Sequence, residues 1–406
     1  MVNIAVLGYG TIGSGVVEVI DTNSESIAAR AGDSINVKYI LDLRDFPGSP
    51  VENKIVHDVD IIINDPEIKV VVEVMGGVEP AFTFVRRALE KGKSVTTSNK
   101  ALVAKHGAEL IGIARANGAN FLFEASVGGG IPIIRPLISS FTADKILEIT
   151  GILNGTTNYM LTRMANEGME FDDVLRQAQE LGYAEKDPTN DVEGYDACRK
   201  IAILTSLMCS RQVDFEDIYT EGITKISSDD FKYAKVLGKS IKLFATAKQT
   251  DAGVVSMVSP VLIGPEHPLF SVNDVFNGIF VKGNVLGDTM LYGSGAGKLP
   301  TASAVVSDIV DLVKHFGRTI EMSWNPDKLS LADRKSIEHG FFVRVRGRVA
   351  DRMEEIEKAF DKVICIEAPD ITGEFAFITD IMPESEYEKR IAAVSDVIKM
   401  IRIEER

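Results

Sequence analysis

The sequence predicts an α/β chain: a Rossmann-type doubly wound nucleotide domain, a mixed α/β middle domain, and a small C-terminal ferredoxin-like unit. Three observations predict it. A glycine turn, Gly8-Tyr9-Gly10-Thr11-Ile12-Gly13, lies between the strand-like NIAVL and a helix-spaced apolar pattern. Short β-like runs then alternate with helical patterns such as PAFTFVRRALEKG, the signature of a parallel sheet covered by helices. The last 65 or so residues read strand, helix, strand, strand, helix, strand.

In the glycine turn, Gly8 permits the tight bend, Gly10 lets the backbone approach a pyrophosphate, and Gly13 lets helix pack on strand. The helix N–H groups face the phosphates, so Thr11 and Ile12 count with the glycines as cofactor contacts. The second strand, Val37 to Leu41, places Asp42 at its carboxyl end, where an acid bonds the ribose hydroxyls and favours NAD. Arg44 can instead receive a 2′-phosphate, so NADP stays open. Asp33 falls in a Gly-Asp-Ser turn and reads as a turn residue. Further strands are expected at Asp60 to Ile63, Val70 to Val74, Ser94 to Thr97 and Asn120 to Phe123. Ligands of such sheets bind at the strands' carboxyl ends, which puts Met75, Gly76 and Lys100 along the cofactor crevice. A lysine opening a helix is poorly matched to the helix dipole, which argues mildly for a functional role for Lys100.

Residues 124 to 136, EASVGGGIPIIRP, interrupt both periodicities and mark a boundary near residue 130. The turn Asn154-Gly155-Thr156-Thr157-Asn158 precedes a helix from about Tyr159, and capping explains one of its polar groups rather than all of them. In EKDPTNDVEGYDACRK, Thr189, Asn190 and Asp191 are helix-start residues. A helix from about Val192 carries the apolar stripe Ala197, Ile201, Leu204 and Met208, with Asp196 and Lys200 sharing a face at i and i+4. On a solvated face that pair is worth only about 0.3–0.5 kcal/mol. In a site, Glu185, Asp191 and the neighbouring acids hold an amino group while Lys200 moves the hydroxyl proton that hydride transfer requires.

Composition narrows the partners. With 406 residues, 45% of them hydrophobic, the chain is long enough for two or three cores, and it has no apolar run of membrane-spanning length. A formal net charge of −15 repels phosphate backbones, so nucleic acid is excluded as a general partner and small metabolites are favoured. The three cysteines make no paired or metal-spaced pattern, and the N-terminus opens directly on a strand; a cytoplasmic protein without a leader is expected.

In order, VVEVMGGVEPAF, TTSNKALVAKHG, FEASVGGGIPII, LNGTTNYML, GYAEKDPTNDVEGYDACRKIAIL and YGSGAGKLPTASAVVSDI resemble the homoserine dehydrogenase family over roughly residues 1 to 320. The resemblance implies NAD(P)-dependent interconversion of L-homoserine and L-aspartate 4-semialdehyde in threonine and methionine biosynthesis. It implies Lys200 as the proton-transfer lysine, Asp196 as its partner and Lys100 as a second active-site lysine. Glu185 then binds the substrate amino group, with Asp191 and Thr156 near the substrate. It also implies a sodium ion at Glu124 and the carbonyls of Val127, Gly129 and Ile131. The loop of Gly295 would return to the cofactor, giving a discontinuous first domain of residues 1–130 plus about 298–335, a catalytic domain of 131–297 and an ACT-like domain of 340–406. A homodimer or homotetramer is implied as well. The fragment Val349-Ala350-Asp351-Arg352 lacks the Pro-Gly turn usual in ACT domains, so effector binding and plain association stay open for that tail. The competing readings are a nucleotide-binding sensor and another semialdehyde-handling reductase.

Overall fold

The computed structural model describes residues 1–404 and divides into two compact units. The first comprises residues 1–146, 202–215 and 293–329, the second residues 147–201, 216–292 and the chain from Ser330 onward.

The first unit is built on a six-stranded sheet of β1 (Val2–Leu7), β2 (Ile35–Leu41), β3 (Ile55–Val56), β4 (Ile68–Glu73), β5 (Ser94–Thr97) and β6 (Phe121–Leu122). Every pairing is parallel and the order is β3-β2-β1-β4-β5-β6, so the direction of winding reverses between β1 and β4. Buried on both faces, the central strands read as near-continuous apolar runs; in β4 Val70, Val71 and Val72 are fully enclosed. The helices are α1 (Thr11–Thr22), α2 (Ser24–Ala31), α3 (Val59–Asn64), α4 (Ala81–Glu90) and α5 (Lys100–Ala116), followed later in the chain by the helix Lys298–Lys314. The last packs so closely on α1 that a Cβ on Gly15 would lie 3.0 Å from Lys298 Cγ and 3.1 Å from Ala302 Cβ.

Residues 60–63, expected as a strand, are helical. The Asp58 carboxylate accepts from the Asp60 N–H at 2.9 Å and caps α3, so Ile62 and Ile63 are buried from a helix face while Ile61 is exposed. Four β-branched or acidic residues carry too weak a strand preference to outweigh a local cap.

The second unit contains an eleven-stranded mixed sheet. Its main path runs Asp288–Ser294, Phe276–Gly283, Ile146–Ile152, Ser240–Thr250, Gly253–Ile263, Val397–Glu404, Glu338–Arg346, Glu374–Thr379, Val363–Ile366. The C-terminal strand Val397–Glu404 pairs in parallel with Gly253–Ile263 and antiparallel with Glu338–Arg346, so the tail continues the sheet rather than standing apart from it. Its elements follow the βαββαβ order, around a core of Phe341, Phe360, Phe375, Phe377 and Tyr387. The second tail helix ends at Ile391, and Asp396 then turns the chain at φ +49° into the last strand.

Candidate active site

At the carboxyl end of β1 the glycine turn is held by packing that admits no side chain. Gly8 has φ +98°, and a Cβ on Gly13 would lie 1.9 Å from the Gly8 carbonyl oxygen. Above Gly10 the space is open, and α1 begins there with no side-chain cap and no acid in its first turn. Its leading N–H groups, those of Thr11 and Ile12 among them, therefore lack an internal acceptor of the usual kind, which suits a pyrophosphate. Asp42 follows β2, accepts the Tyr9 N–H at 2.8 Å and chelates the Arg44 guanidinium through 2.9 Å bonds to both of its oxygens. That guanidinium holds the Asp42 carboxyl well below the usual carboxylate range.

The ends of β4 and β5 are joined by Glu73, a residue the sequence reading passed over. Its carboxylate is fully buried, accepts the Met75 N–H at 2.8 Å and the Thr97 hydroxyl at 2.6 Å, and is pushed upward in pKa by burial. It thereby fixes the loop Met75-Gly76-Gly77, whose glycines have φ +89° and +75°. Asn99, whose side chain bonds the Gly77 carbonyl, caps α5 by accepting from Leu102 N at 3.1 Å and so sets Lys100 at the first position of that helix, half-buried.

In the EASVGGG turn the Glu124 carboxylate accepts the backbone N–H groups of Ile133, Ile134 and Arg135 at 2.6, 2.8 and 2.7 Å. Both oxygens are thus turned onto amides, and Glu124 shapes the turn from inside. Gly129, at φ +58°, would carry a Cβ 2.3 Å from the Gly295 carbonyl oxygen, and Gly130 N donates to Ser294 O at 3.0 Å. The second glycine loop is therefore packed onto this turn within the first unit. Neutral backbone oxygens at Val127, Gly129 and Ile131 are a donor type that suits a hard cation.

The acidic stretch resolves into two helices. Thr189–Val192 ends at Gly194, whose φ of +82° breaks the run, and Tyr195–Cys209 begins after it; the single helix expected from Val192 is interrupted there. Asp196 and Lys200 do not lie on a solvated face. They are 5% and 8% exposed, and Lys200 Nζ sits 2.8 Å from Asp196 Oδ2 while donating to the Leu153 carbonyl at 2.7 Å. The amide of Asn154 joins the acids, donating to Asp191 Oδ1 at 2.7 Å and to Asp196 Oδ2 at 2.9 Å. Its oxygen meanwhile accepts Thr157 N at 2.8 Å and caps the helix Gly155–Glu167.

Lys200, Asp196 and Asp191 thus converge, with Asn154 as the member that the cap pattern alone did not single out. The available signal was chemical: a capping asparagine uses its oxygen, which leaves two N–H donors in need of acceptors. Thr156 turns its hydroxyl onto the Tyr183 carbonyl at 2.6 Å, fastening the loop that leads to Glu185. Glu185 itself is exposed, engaged through its carbonyl by Gln179 at 3.0 Å, and is not drawn into the cluster. Cys198 is buried and its thiol is pushed up by burial, which disfavours a nucleophilic role.

A parallel sheet whose bare glycine turn lies at the reversal of its winding, in a chain that also buries a lysine among carboxylates, defines an NAD(P)-dependent oxidoreductase. Family profiles make this specific: "Homoserine dehydrogenase, NAD binding domain" matches residues 8–124, and "Homoserine dehydrogenase" matches residues 132–310. A homoserine dehydrogenase of Synechocystis sp. is 47% identical over 321 residues, 77% of this chain and 73% of that protein. The crystal structure of a homoserine dehydrogenase from Thiobacillus denitrificans superposes with a TM-score of 0.89 at 34% identity, covering 100% of this chain and 98% of the other. A hyperthermophilic archaeal homoserine dehydrogenase in complex with NADPH matches with a TM-score of 0.65 at 28% identity, over 77% of this chain and 97% of that one. The chain belongs to the homoserine dehydrogenase family. Among the described residues no helix is long and apolar enough to cross a membrane.

Proposed function

We propose that this chain interconverts L-homoserine and L-aspartate 4-semialdehyde with NAD(P), and that Lys200 exchanges the proton at the substrate oxygen. One observation carries the role of Lys200: its buried ammonium is held by two acceptors, Asp196 and the Leu153 carbonyl, which leaves its third N–H for a substrate oxygen. In aldehyde reduction the Lys200 ammonium gives a proton to the carbonyl oxygen and becomes the amine; in alcohol oxidation the neutral amine takes the hydroxyl proton and becomes the ammonium. Asp196 orients the ammonium and Asn154 orients Asp196, so the lysine's direction is fixed before substrate arrives. Asp191 supplies negative charge for the substrate ammonium. Thr156, whose hydroxyl fastens the loop leading to Glu185, is assigned to the substrate as well, and Glu185 to its amino group.

The dinucleotide, when bound, supplies or accepts the hydride. The turn Gly8, Gly10, Thr11, Ile12 and Gly13 would hold its pyrophosphate, and Asp42 or Arg44 its adenosine ribose. Met75, Gly76, Lys100 and Gly295 are assigned to the same site. The chelation of Arg44 by Asp42 supports use of both coenzymes, since the acid meets ribose hydroxyls and the cation meets a 2′-phosphate. A sodium ion on the carbonyls of Val127, Gly129 and Ile131, with Glu124 shaping the turn, belongs to the same reading.

The C-terminal βαββαβ unit is read as ACT-like. Arg352 lies across the turn after its first strand, donating to the carbonyls of Arg346 at 2.6 Å and Ser395 at 2.7 Å, which favours association into dimers or tetramers over effector capture there. The domain limits read from the sequence, and a cytoplasmic location, are kept with this proposal.

The test is a cofactor absorbance assay with L-homoserine and NAD or NADP in parallel. Reduction of either coenzyme supports the proposal; silence with both rejects it. Turnover of semialdehydes lacking the amino group in preference to aspartate semialdehyde would point to a different reductase.

A further inference from the structure

The carboxylates beside Lys200 are separated by the turn Glu193-Gly194, which belongs neither to the helix ending at Val192 nor to the one beginning at Tyr195. It is held by the segment Tyr219–Ile223. A Cβ on Gly222 would fall 2.1 Å from the Val192 carbonyl oxygen and 2.4 Å from Glu193 Cα, so the two backbones are in direct contact. Ile223 N donates to Val192 O at 2.8 Å, and Gly194 is closed in by Thr220 Cγ2, 3.1 Å from where its Cβ would be.

The supporting segment is itself pinned from the end of the chain. Tyr219 and Thr220 pair in parallel with Met257 and Val258, and Glu221 N donates to Val258 O at 2.8 Å. The Glu221 carboxylate accepts from Arg402 at 3.0 Å and from the Tyr219 hydroxyl at 3.2 Å. Arg402, 2% exposed on the last strand, also makes two bonds of 2.8 and 2.7 Å to Glu384, and Arg334 pairs with that same carboxylate while lying 3.8 Å over the Tyr219 ring.

From this continuous path we infer that Glu221 and Arg402 are positioning residues for the reaction: they hold the turn that sets the distance between Asp191 and Asp196, and so the fit of the substrate's amino group. The inference rests on the proposed function of that cluster. It gives the C-terminal strand a bearing on substrate affinity that its location outside the site would not suggest. The charge-assisted bonds of Arg402 are directional and largely shielded from water, so they transmit a fixed geometry rather than a diffuse attraction.

The test uses the full-length protein and the variants Glu221→Ala, Glu221→Gln and Gly222→Ala. Glu221 is partly exposed and Arg402 keeps Glu384 in its absence, so the Glu221 variants are expected to fold. For Glu221→Ala the KM for L-homoserine is expected to rise by about tenfold while kcat falls less than about threefold and coenzyme binding is unchanged. Glu221→Gln, which keeps an acceptor, should restore most of that loss, and Gly222→Ala should exceed it. A KM within twofold of the parent in Glu221→Ala, with or without a lower melting temperature, would overturn the inference. Backbone hydrogen exchange of residues 189–200 supplies a readout independent of turnover: faster exchange in Glu221→Ala is expected, and unchanged exchange also overturns it. If the parent protein itself shows no reaction with homoserine, the functional proposal fails, and the exchange result still decides whether the turn is pinned this way.

Discussion

Lys200 and Asp196, one helical turn apart, form a 2.8 Å ion pair with both side chains shielded from solvent. An exposed pair of this spacing would contribute a few tenths of a kcal/mol; a buried one is held at the cost of desolvating both charges. Such an arrangement is favoured where an ammonium must face one direction. Lys200→Ala is therefore expected to lower turnover of homoserine by about 10²–10⁴-fold, the usual contribution of an acid–base group. Fluorescence titration should find NADH affinity unaltered. Turnover within tenfold of the parent would remove Lys200 from the proposed role.

Asp196→Ala leaves the ammonium without its charge partner. Removing one member of a buried pair costs about 3–5 kcal/mol, so chemical denaturation should detect a clear loss of stability in addition to lost activity. Near-parental stability would show that the pair is solvated in practice.

Asn154 performs two tasks at once, capping a helix and joining Asp191 to Asp196. Loss of the cap costs about 1 kcal/mol. Loss of the bridge should act on catalysis, and Asn154→Ala is expected to lower kcat/KM for homoserine by about 10²-fold, well beyond what the stability change explains. Steady-state kinetics alongside thermal melts would separate the two effects; matching small changes in both would reduce Asn154 to a cap.

In the proposed function coenzyme choice is assigned to Arg44, whose guanidinium is chelated by Asp42. Replacement by serine removes the cation but leaves the acid. The KM for NADP should rise by about tenfold or more while that for NAD stays within about threefold. Equal effects on both coenzymes would place the 2′-phosphate elsewhere.

The network at Glu384 gives a pH dependence of stability. Burial alone would raise this carboxyl; the hydrogen bonds and charges of Arg402 and Arg334 override it and hold the pKa at about 2, against an ordinary 4.5. The folded-state pKa is depressed, so the stabilisation is complete above about pH 4.5 and is lost as the pH falls toward 2. The shift corresponds to at most about 3 kcal/mol. Glu384→Gln should flatten the acid limb of a stability-against-pH curve; an unchanged limb would assign acid unfolding to other carboxylates.

The cofactor turn and the βαββαβ order of the tail were legible in the sequence because they depend on local chemistry. Gly13 must be glycine wherever a helix starts this close to a strand, and periodicities of two and of 3.6 residues distinguish strand from helix without reference to the rest of the chain. The run Asp60–Ile63 misled because periodicity over four residues is ambiguous, and a single capping carboxylate decided it. The break at Gly194 was equally open, since a glycine in a helical pattern can be tolerated or can end the helix. Glu73 gave no signal in its apolar run; what marks it is burial against Thr97 and Met75, one from the next strand.

By itself, then, the sequence determined that this chain has a dinucleotide turn and a lysine one helical turn beyond an aspartate, since both are patterns of neighbours along the backbone. Tertiary structure alone decided that the pair is buried, that Asn154 joins two acids 37 and 42 residues away, and that Arg402 reaches Glu221 across 181 residues. The physical reason is that burial and long-range hydrogen bonds depend on which surfaces the folded chain brings together. Composition and spacing state which groups are available and leave their partners to the packing.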